Sequence, residues 1–193
     1  GSGDEFTVAL KADGTVWTWG KNTEGQLGQG GRTSDRNIIP TQVTFSGLAS
    51  NAYITKIAVG KAHVVALDSD GNIWTWGDNT YGQLGNGVSN GTVVYPEKID
   101  SLSDIIKIAA AGQTAVALKT DGTVWTWGRN DNGQLGNGTT VSSNVPVQVL
   151  KGEQNQGNAD KTYLENIVAI AAGGLNDEKI FVVALDSNGN VYG

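Results

Sequence analysis

The chain has 193 residues, 28 of them glycine, with 13 Lys and Arg against 19 Asp and Glu for a net charge of −6. That acidic balance argues against a grip on phosphate backbones, so no nucleic-acid partner is expected. No run approaches the roughly 18 apolar residues of a membrane span. Nor does a charged-then-apolar secretion signal open the chain. With no Cys, no Met and a single His, disulfides, thiol catalysis and the usual zinc frameworks are ruled out, and the natural start codon is expected elsewhere.

A fixed internal period organises everything else. Thr7 to Gly30 reads TVALKADGTVWTWGKNTEGQLGQG, Val64 to Gly87 reads VVALDSDGNIWTWGDNTYGQLGNG, and Ala115 to Gly138 reads AVALKTDGTVWTWGRNDNGQLGNG. A fourth copy opens at Val182 and stops at Gly193, so the repeats run 7–63, 64–114 and 115–181, with 182–193 a partial one. All six Trp lie in the three WTWG blocks, and the three Pro, at 40, 96 and 146, recur at matching places after them.

In chain order, each repeat begins with VAL, an Asp-Gly or Asn-Gly pair and an alternating V-W-T-W, the pattern of a hairpin with a tight turn. Val16 and Thr18 are predicted to face one way, Trp17 and Trp19 the other. The following N-x-x-G-Q-L-G-x-G is too rich in glycine for a strand and predicts a compact loop anchored by Leu27, Leu84 or Leu135. Pro40–Val43, Pro96–Ile99 and Pro146–Val149 read as short strands entered at Pro. Ile57–Gly60, Ile108–Gly112 and Ile170–Gly173 are apolar but small, as suits strands converging on an axis. No 3.6-residue periodicity appears. The expected fold is all-β, made of β-propeller blades of four antiparallel strands, with three full repeats and the start of a fourth.

The string GxxHxVALxxDGxVWxWGxNxxGQLGxG, matched at nearly every position in all three copies, resembles the repeat of the regulator of chromosome condensation family. The resemblance covers essentially the whole chain. It implies a closed ring of about seven blades in a longer parent, in proteins that work mainly by binding other proteins. Gly1-Ser-Gly also fits the family's inter-strand stretch, like Val59-Gly-Lys and Ala172-Gly-Gly. Three repeats and twelve residues make an open arc whose terminal faces need covering, either by further repeats of a longer parent or by self-association as a homo-oligomer.

Several motifs invite chemistry and are better read as architecture. Asp68-Ser-Asp-Gly-Asn72 and Asp186-Ser-Asn-Gly-Asn190 resemble the opening of a calcium loop, but the far-end Glu is missing and Lys11 and Lys119 fill the same slot elsewhere. Hairpin turns are expected there, with no metal. His63 shares its slot with Phe6, Thr114 and Phe181, which marks a packing position and not a general base. The WTWG tryptophans suit packing between blades better than carbohydrate stacking. The GQLGxG loops lack the Lys-Ser/Thr of a phosphate loop. No catalytic residue and no cofactor are expected.

Variation concentrates in two loop sets. Residues 32–37, 88–95 and 139–145 follow the GQLG anchor, and residues 45–53 and 150–166 precede the small apolar strand. Recognition on a rigid scaffold is usually seated in such loops. The candidate partner-binding residues are Arg32, Asp35, Arg36, Tyr81, Asn90 and Tyr95. The leading function is a non-enzymatic protein-interaction or scaffold module. An enzyme inhibitor is the next reading, because one branch of this fold resembles a protein blocker of β-lactamase; a cell-surface or filament protein follows. Guanine-nucleotide exchange, associated with the family's eukaryotic founder, is disfavoured by the absence of basic elements. The uniform repeats look bacterial, and an extracellular or cell-surface setting is expected.

Overall fold

The computed structural model describes residues 1–151, 162–174 and 180–193, and every regular element in them is a β-strand. The first sheet is formed by β1 (Phe6–Leu10), β2 (Val16–Asn22) and β3 (Thr33–Gln42). The second holds β4 (Ile54–Val59), β5 (His63–Asp68), β6 (Ile73–Asp78) and β7 (Thr92–Lys98) in that order. The third holds β8 (Ile105–Ala111), β9 (Thr114–Lys119), β10 (Val124–Gly128) and β11 (Ser143–Gln148). The fourth is β12 (Ile167–Gly174), β13 (Ile180–Asp186) and β14 (Val191–Tyr192). All pairings are antiparallel meanders, as expected for partial propeller blades.

The sheets cut the chain at a different place from the sequence repeat. β4 closes repeat 7–63 yet pairs with β5 of the next repeat, Ile57 opposite Ala66 and Val59 opposite Val64. The reason is local: Val59 and Val64 are separated by a tight turn in which the Gly60 N–H donates to His63 O at 3.0 Å. Each blade therefore takes its inner strand from the end of the preceding repeat. Two sheets are complete with four strands and the flanking two have three. In the first sheet Gly1-Ser-Gly stands where an inner strand would end. Ser2 bridges Thr7, the Gly1 amino group donates to Val8 O at 2.9 Å, and Gly3 N–H donates to Phe6 O as Gly60 does to His63. The likeness of this stretch to Val59-Gly-Lys is structural.

β4, β8 and β12 lie side by side at the inner edge, where Ala58, the run Ala109–Ala111 and Ala171–Ala172 keep side-chain volume small. The outer strands correct one expectation. β3, β7 and β11 begin before their prolines, so Pro40, Pro96 and Pro146 sit inside the strands and not at their entry. Each lies on the outermost strand of its sheet, where a missing N–H costs least, and the register shifts in the stretch before it, between Thr75 and Gly77 for the second sheet. For the same reason much of the first variable loop set is strand: 33–37, 92–95 and 143–145 pair with the strand before the GQLG loop, as Gly77 does with Val93.

Three apolar clusters fill the seams between consecutive sheets. Phe6, Val8, Val16 and Leu27 meet Val64, Ala66, Trp74 and Trp76. Val65, Leu67 and Ile73 meet Ala115, Ala117 and Trp127. Val116, Leu118 and Val124 meet Ala184, with Val182 and Tyr192 packed alongside. Thr18, Thr75 and Thr126 are buried on the same side as Val16, Ile73 and Val124, confirming the alternation read from V-W-T-W.

Candidate interaction surface

One end of the arc is built from the three GQLG loops, and the repeated motif residues explain their shape. Asn22, Asn79 and Asn130 each accept the N–H of the loop leucine through Oδ1, at 3.1, 3.1 and 2.9 Å. Thr18, Thr75 and Thr126 donate their hydroxyls to the carbonyl of that same leucine, at 2.7, 2.9 and 2.7 Å. Gln26, Gln83 and Gln134 turn back to accept a backbone N–H two residues earlier. The leucines are fully buried. Each loop is thus tied to its own sheet, and the first two also to the next one: Trp76 Nε1 donates to Gln26 O and Trp127 Nε1 to Gln83 O, both at 3.0 Å. A methyl group on Gly28, whose φ is +65°, would come within 2.7 Å of Trp76 Nε1. The second tryptophan and the GQLG loop are therefore two halves of one joint.

On this fixed frame the residues that change from repeat to repeat sit side by side. An open cavity of about 400 Å³ between successive loops is lined by Lys21, Glu24, Lys61, Asp78 and Asp4, together with amide and hydroxyl side chains. Lys21 Nζ lies 3.5 Å from both Asp4 and Glu5. Buried Asp78 accepts from Gln83 Nε2 at 2.7 Å and from Thr80 Oγ1 at 2.6 Å, so the loop amide fixes its carboxylate. The residue following WTWG is Lys21, Asp78 or Arg129, and three positions later stand Glu24, Tyr81 and Asn132. Of these six varying residues the sequence reading drew out Tyr81 alone, and the charged ones that line the cavity were missed.

Of the expected contact residues, the structure brings some together and disperses the rest. Arg32 Nη1 lies 3.5 Å from Thr92 Oγ1 across the first seam, where exposed Tyr95 also packs against Gly30. Tyr81 sits on the next seam with the Arg129 guanidinium 5.0 Å from its ring centroid. Asn90 is a turn residue with φ of +68°, its N–H donated to Asn79 O. Asp35 and Arg36 lie on β3, not in a loop, and Arg36 pairs with Glu5 at 3.0 Å. In the second loop set, Phe45 is a seam plug, edge-on to Trp74 and Trp76 at 5.6 and 5.7 Å. Residues 152–161 of the 150–166 loop lie outside the described residues.

The motifs discounted as chemistry have structural employment. Both oxygens of Asp68 are taken: Oδ1 by the N–H groups of Asp70 and Asn72, Oδ2 by Asn72 and Trp74 Nε1. Burial pushes the Asp68 carboxyl up, and the donors Trp74 and Asn72 outweigh it and hold it below the usual carboxylate range. Asp186 repeats the arrangement with Asn190 and the Tyr192 hydroxyl. His63 is fully buried, and neither ring nitrogen has a hydrogen-bond partner among the described residues. Burial lowers its pKa to about 4, against a smaller upward pull from Asp78. It fills the packing slot expected of it, pressed against Gly60.

A meander of small antiparallel sheets joined by Trp-to-loop seams defines a β-propeller repeat protein. The model of the regulator of chromosome condensation (RCC1) repeat matches residues 13–67, 70–118 and 121–175, and the chain belongs to that family. It is 36% identical over 157 residues to the mouse E3 ubiquitin-protein ligase HERC2, covering 80% of this chain and 3% of that protein. It is 32% identical over 146 residues to the ultraviolet-B receptor UVR8 of Arabidopsis thaliana, covering 75% of this chain and 32% of the receptor. Among solved structures, Prp20p of Saccharomyces cerevisiae matches with a TM-score of 0.77 at 23% identity, over 95% of this chain and 42% of that one. The chain thus spans about a third or less of these curated relatives. They come from an animal and a plant, and lend no support to the bacterial setting expected from repeat uniformity.

Proposed function

We propose that this chain is a non-enzymatic protein-binding module that presents the mixed-charge surface at its GQLG end to a polypeptide partner. The observation that carries the reading is the cavity of about 400 Å³, whose charged lining residues Lys21, Glu24 and Asp78 vary between repeats while the Asn, Gln, Thr and Leu that shape the loops do not. Fixed loops with variable tips are the usual arrangement of a recognition surface. The surface offers ammonium, carboxylate and amide groups, suited to a polar peptide, and Tyr81 and Tyr95 supply the aromatic anchors that binding sites favour. The sole imidazole is sealed in the core, which removes the commonest general base from this surface. Relatives of the fold have protein ligands: yeast RCC1 (Prp20) has been crystallised with Kap60 bound, and Prp20p is described as binding Gsp1p and histones.

The test is site-specific photocrosslinking. A photoreactive phenylalanine at Tyr81 should capture a partner from the native extract, whereas the same group at exposed Tyr53, at the other end of the arc, should not. Charge reversal at Lys21 and Glu24 should weaken capture at Tyr81 without changing the melting temperature. Crosslinks confined to Tyr53, or insensitive to the reversals, would sink the reading.

A further inference from the structure

Asparagine followed by glycine is a chemically unstable pair. The backbone nitrogen after the asparagine can attack the side-chain amide carbon, and a glycine there has no Cβ to obstruct the five-membered ring that forms. The attack needs that N–H free to give up its proton to water and a side chain free to turn toward it, so the fold decides which pairs react. The sequence holds five such pairs: Asn86-Gly87, Asn90-Gly91, Asn132-Gly133, Asn137-Gly138 and Asn188-Gly189.

Three of them are locked at the nucleophile. Gly87 N–H donates to Asn144 O at 2.8 Å, Gly133 N–H to Asn130 O at 3.0 Å and Gly189 N–H to Asp186 O at 3.2 Å. A fourth is locked at the amide: Asn137 Oδ1 accepts from the N–H and the hydroxyl of Thr139, at 3.1 and 2.9 Å, and from Asn130 Nδ2 at 3.3 Å. Asn90-Gly91 carries neither restraint. Among the described residues the Gly91 N–H meets no acceptor and the Asn90 side chain no hydrogen-bond partner. Asn90 is exposed, and a Cβ built on Gly91 would meet nothing within 4 Å, so the space around the reacting atoms is open.

We propose that Asn90 is a self-modifying site, losing its side-chain amide to the Gly91 nitrogen without an enzyme. The bond from Gly91 N to Asn90 Cγ forms, the Cγ–Nδ2 bond breaks, and ammonia leaves with the proton that Gly91 gives up. Water then opens the succinimide at either carbonyl, to aspartate or to isoaspartate. In sum a water is consumed and an ammonia released, with no change of oxidation state. Both products place a carboxylate two residues from Thr92, whose hydroxyl lies 3.5 Å from Arg32 Nη1. Isoaspartate does more, because the backbone then runs through the former side chain and gains a methylene. Asn90 N–H donates to Asn79 O at 2.9 Å and Asn79 N–H to Gly91 O at 3.0 Å, a clasp that the longer chain cannot keep whole. Asn79 also holds the Leu84 N–H, so the change loosens the second GQLG loop. An isoaspartyl carboxylate is the group that protein carboxyl methyltransferases esterify, and that class of enzyme is the partner this site fits.

Ageing the folded chain in mildly alkaline buffer, followed by peptide mapping with mass spectrometry, tests it. Asn90 should convert faster than any other Asn-Gly pair. The isoaspartate formed should take up methyl groups from S-adenosylmethionine when a protein-isoaspartate methyltransferase is added. In urea all five pairs should convert at like rates, because the hydrogen bonds that protect the others are gone. Asn90→Gly suits the φ of +68° at this position, so the variant should stay folded and lose most of the methyl uptake. The Leu84 amide should exchange faster in the isoaspartate fraction than in fresh protein. Conversion led by another pair in the folded chain, the same ranking in urea, methyl uptake undiminished in Asn90→Gly, or unaltered exchange at Leu84 would each overturn the proposal. None of these outcomes touches the recognition surface, since capture at Tyr81 is measured on fresh protein.

Discussion

Trp76 and Trp19 occupy the same position of the same motif, and their surroundings have little in common. Trp76 has no exposed surface, donates its indole N–H to Gln26 O and meets Phe45 edge-on. Trp19 is partly exposed, and no loop among the described residues closes over it. The difference teaches that the second tryptophan of a block does not stabilise its own sheet. It stabilises the joint with the sheet before, and where no such sheet is present its apolar area stays in contact with water.

The largest expected effect follows directly. Trp76→Ala should lower the unfolding free energy by about 3–5 kcal/mol, the usual cost of emptying a large buried aromatic site, as measured by urea denaturation. Equal losses from Trp76→Ala and Trp19→Ala under conditions where the chain is monomeric would erase the comparison.

A second effect comes from His63, sealed behind the same seam. Its folded pKa of about 4 lies below the ordinary 6.5, so the unfolded chain takes up the proton first as pH falls. The stability that depends on neutral His63 is fully present above pH 6.5 and is lost progressively as pH drops toward 4. The total is about 3 kcal/mol from the size of the shift. His63→Phe, the residue found at this slot in the first and fourth sheets, should flatten the pH profile over that window. It should also leave the stability at neutral pH unchanged or higher, because two unpartnered nitrogens are removed. An unaltered pH profile in the variant would assign the acid sensitivity elsewhere.

Smaller again is the loop tie. Thr75→Val keeps the shape but removes the 2.9 Å hydrogen bond to Leu84 O, with an expected loss of about 1–2 kcal/mol. Faster amide exchange at residues 82–85 should accompany it. The smallest effect belongs to the open face: Trp19→Ala in dilute, monomeric protein should shift stability by only about 1 kcal/mol or less.

Much of this architecture was legible in the residues. The recurrence of VAL, Asp-Gly and V-W-T-W gave the hairpins, because strand alternation and turn chemistry are local and each repeat confirms the others. The role of the GQLG loop as a compact, leucine-anchored turn was equally readable. The charged cavity was not, since it forms between loops of different repeats and no single stretch of sequence contains it. The variable segments were misjudged for a related reason: residues 33–37, 92–95 and 143–145 gain strand pairing from a partner across the loop. Arg36 and Asp35 were drawn into the candidate list by that loop reading.

Sequence alone therefore determined the repeat, its strands, the family resemblance and the packing slot of His63, all of which depend on neighbours in the chain or on comparison of like positions. Tertiary structure decided which strand completes which blade, since β4 finds its hydrogen-bonding partner in the next repeat. It also decided which tryptophans are buried. Burial belongs to a pair of surfaces, and a motif repeated identically at 17–20 and 74–77 is enclosed only where a second sheet is present to meet it.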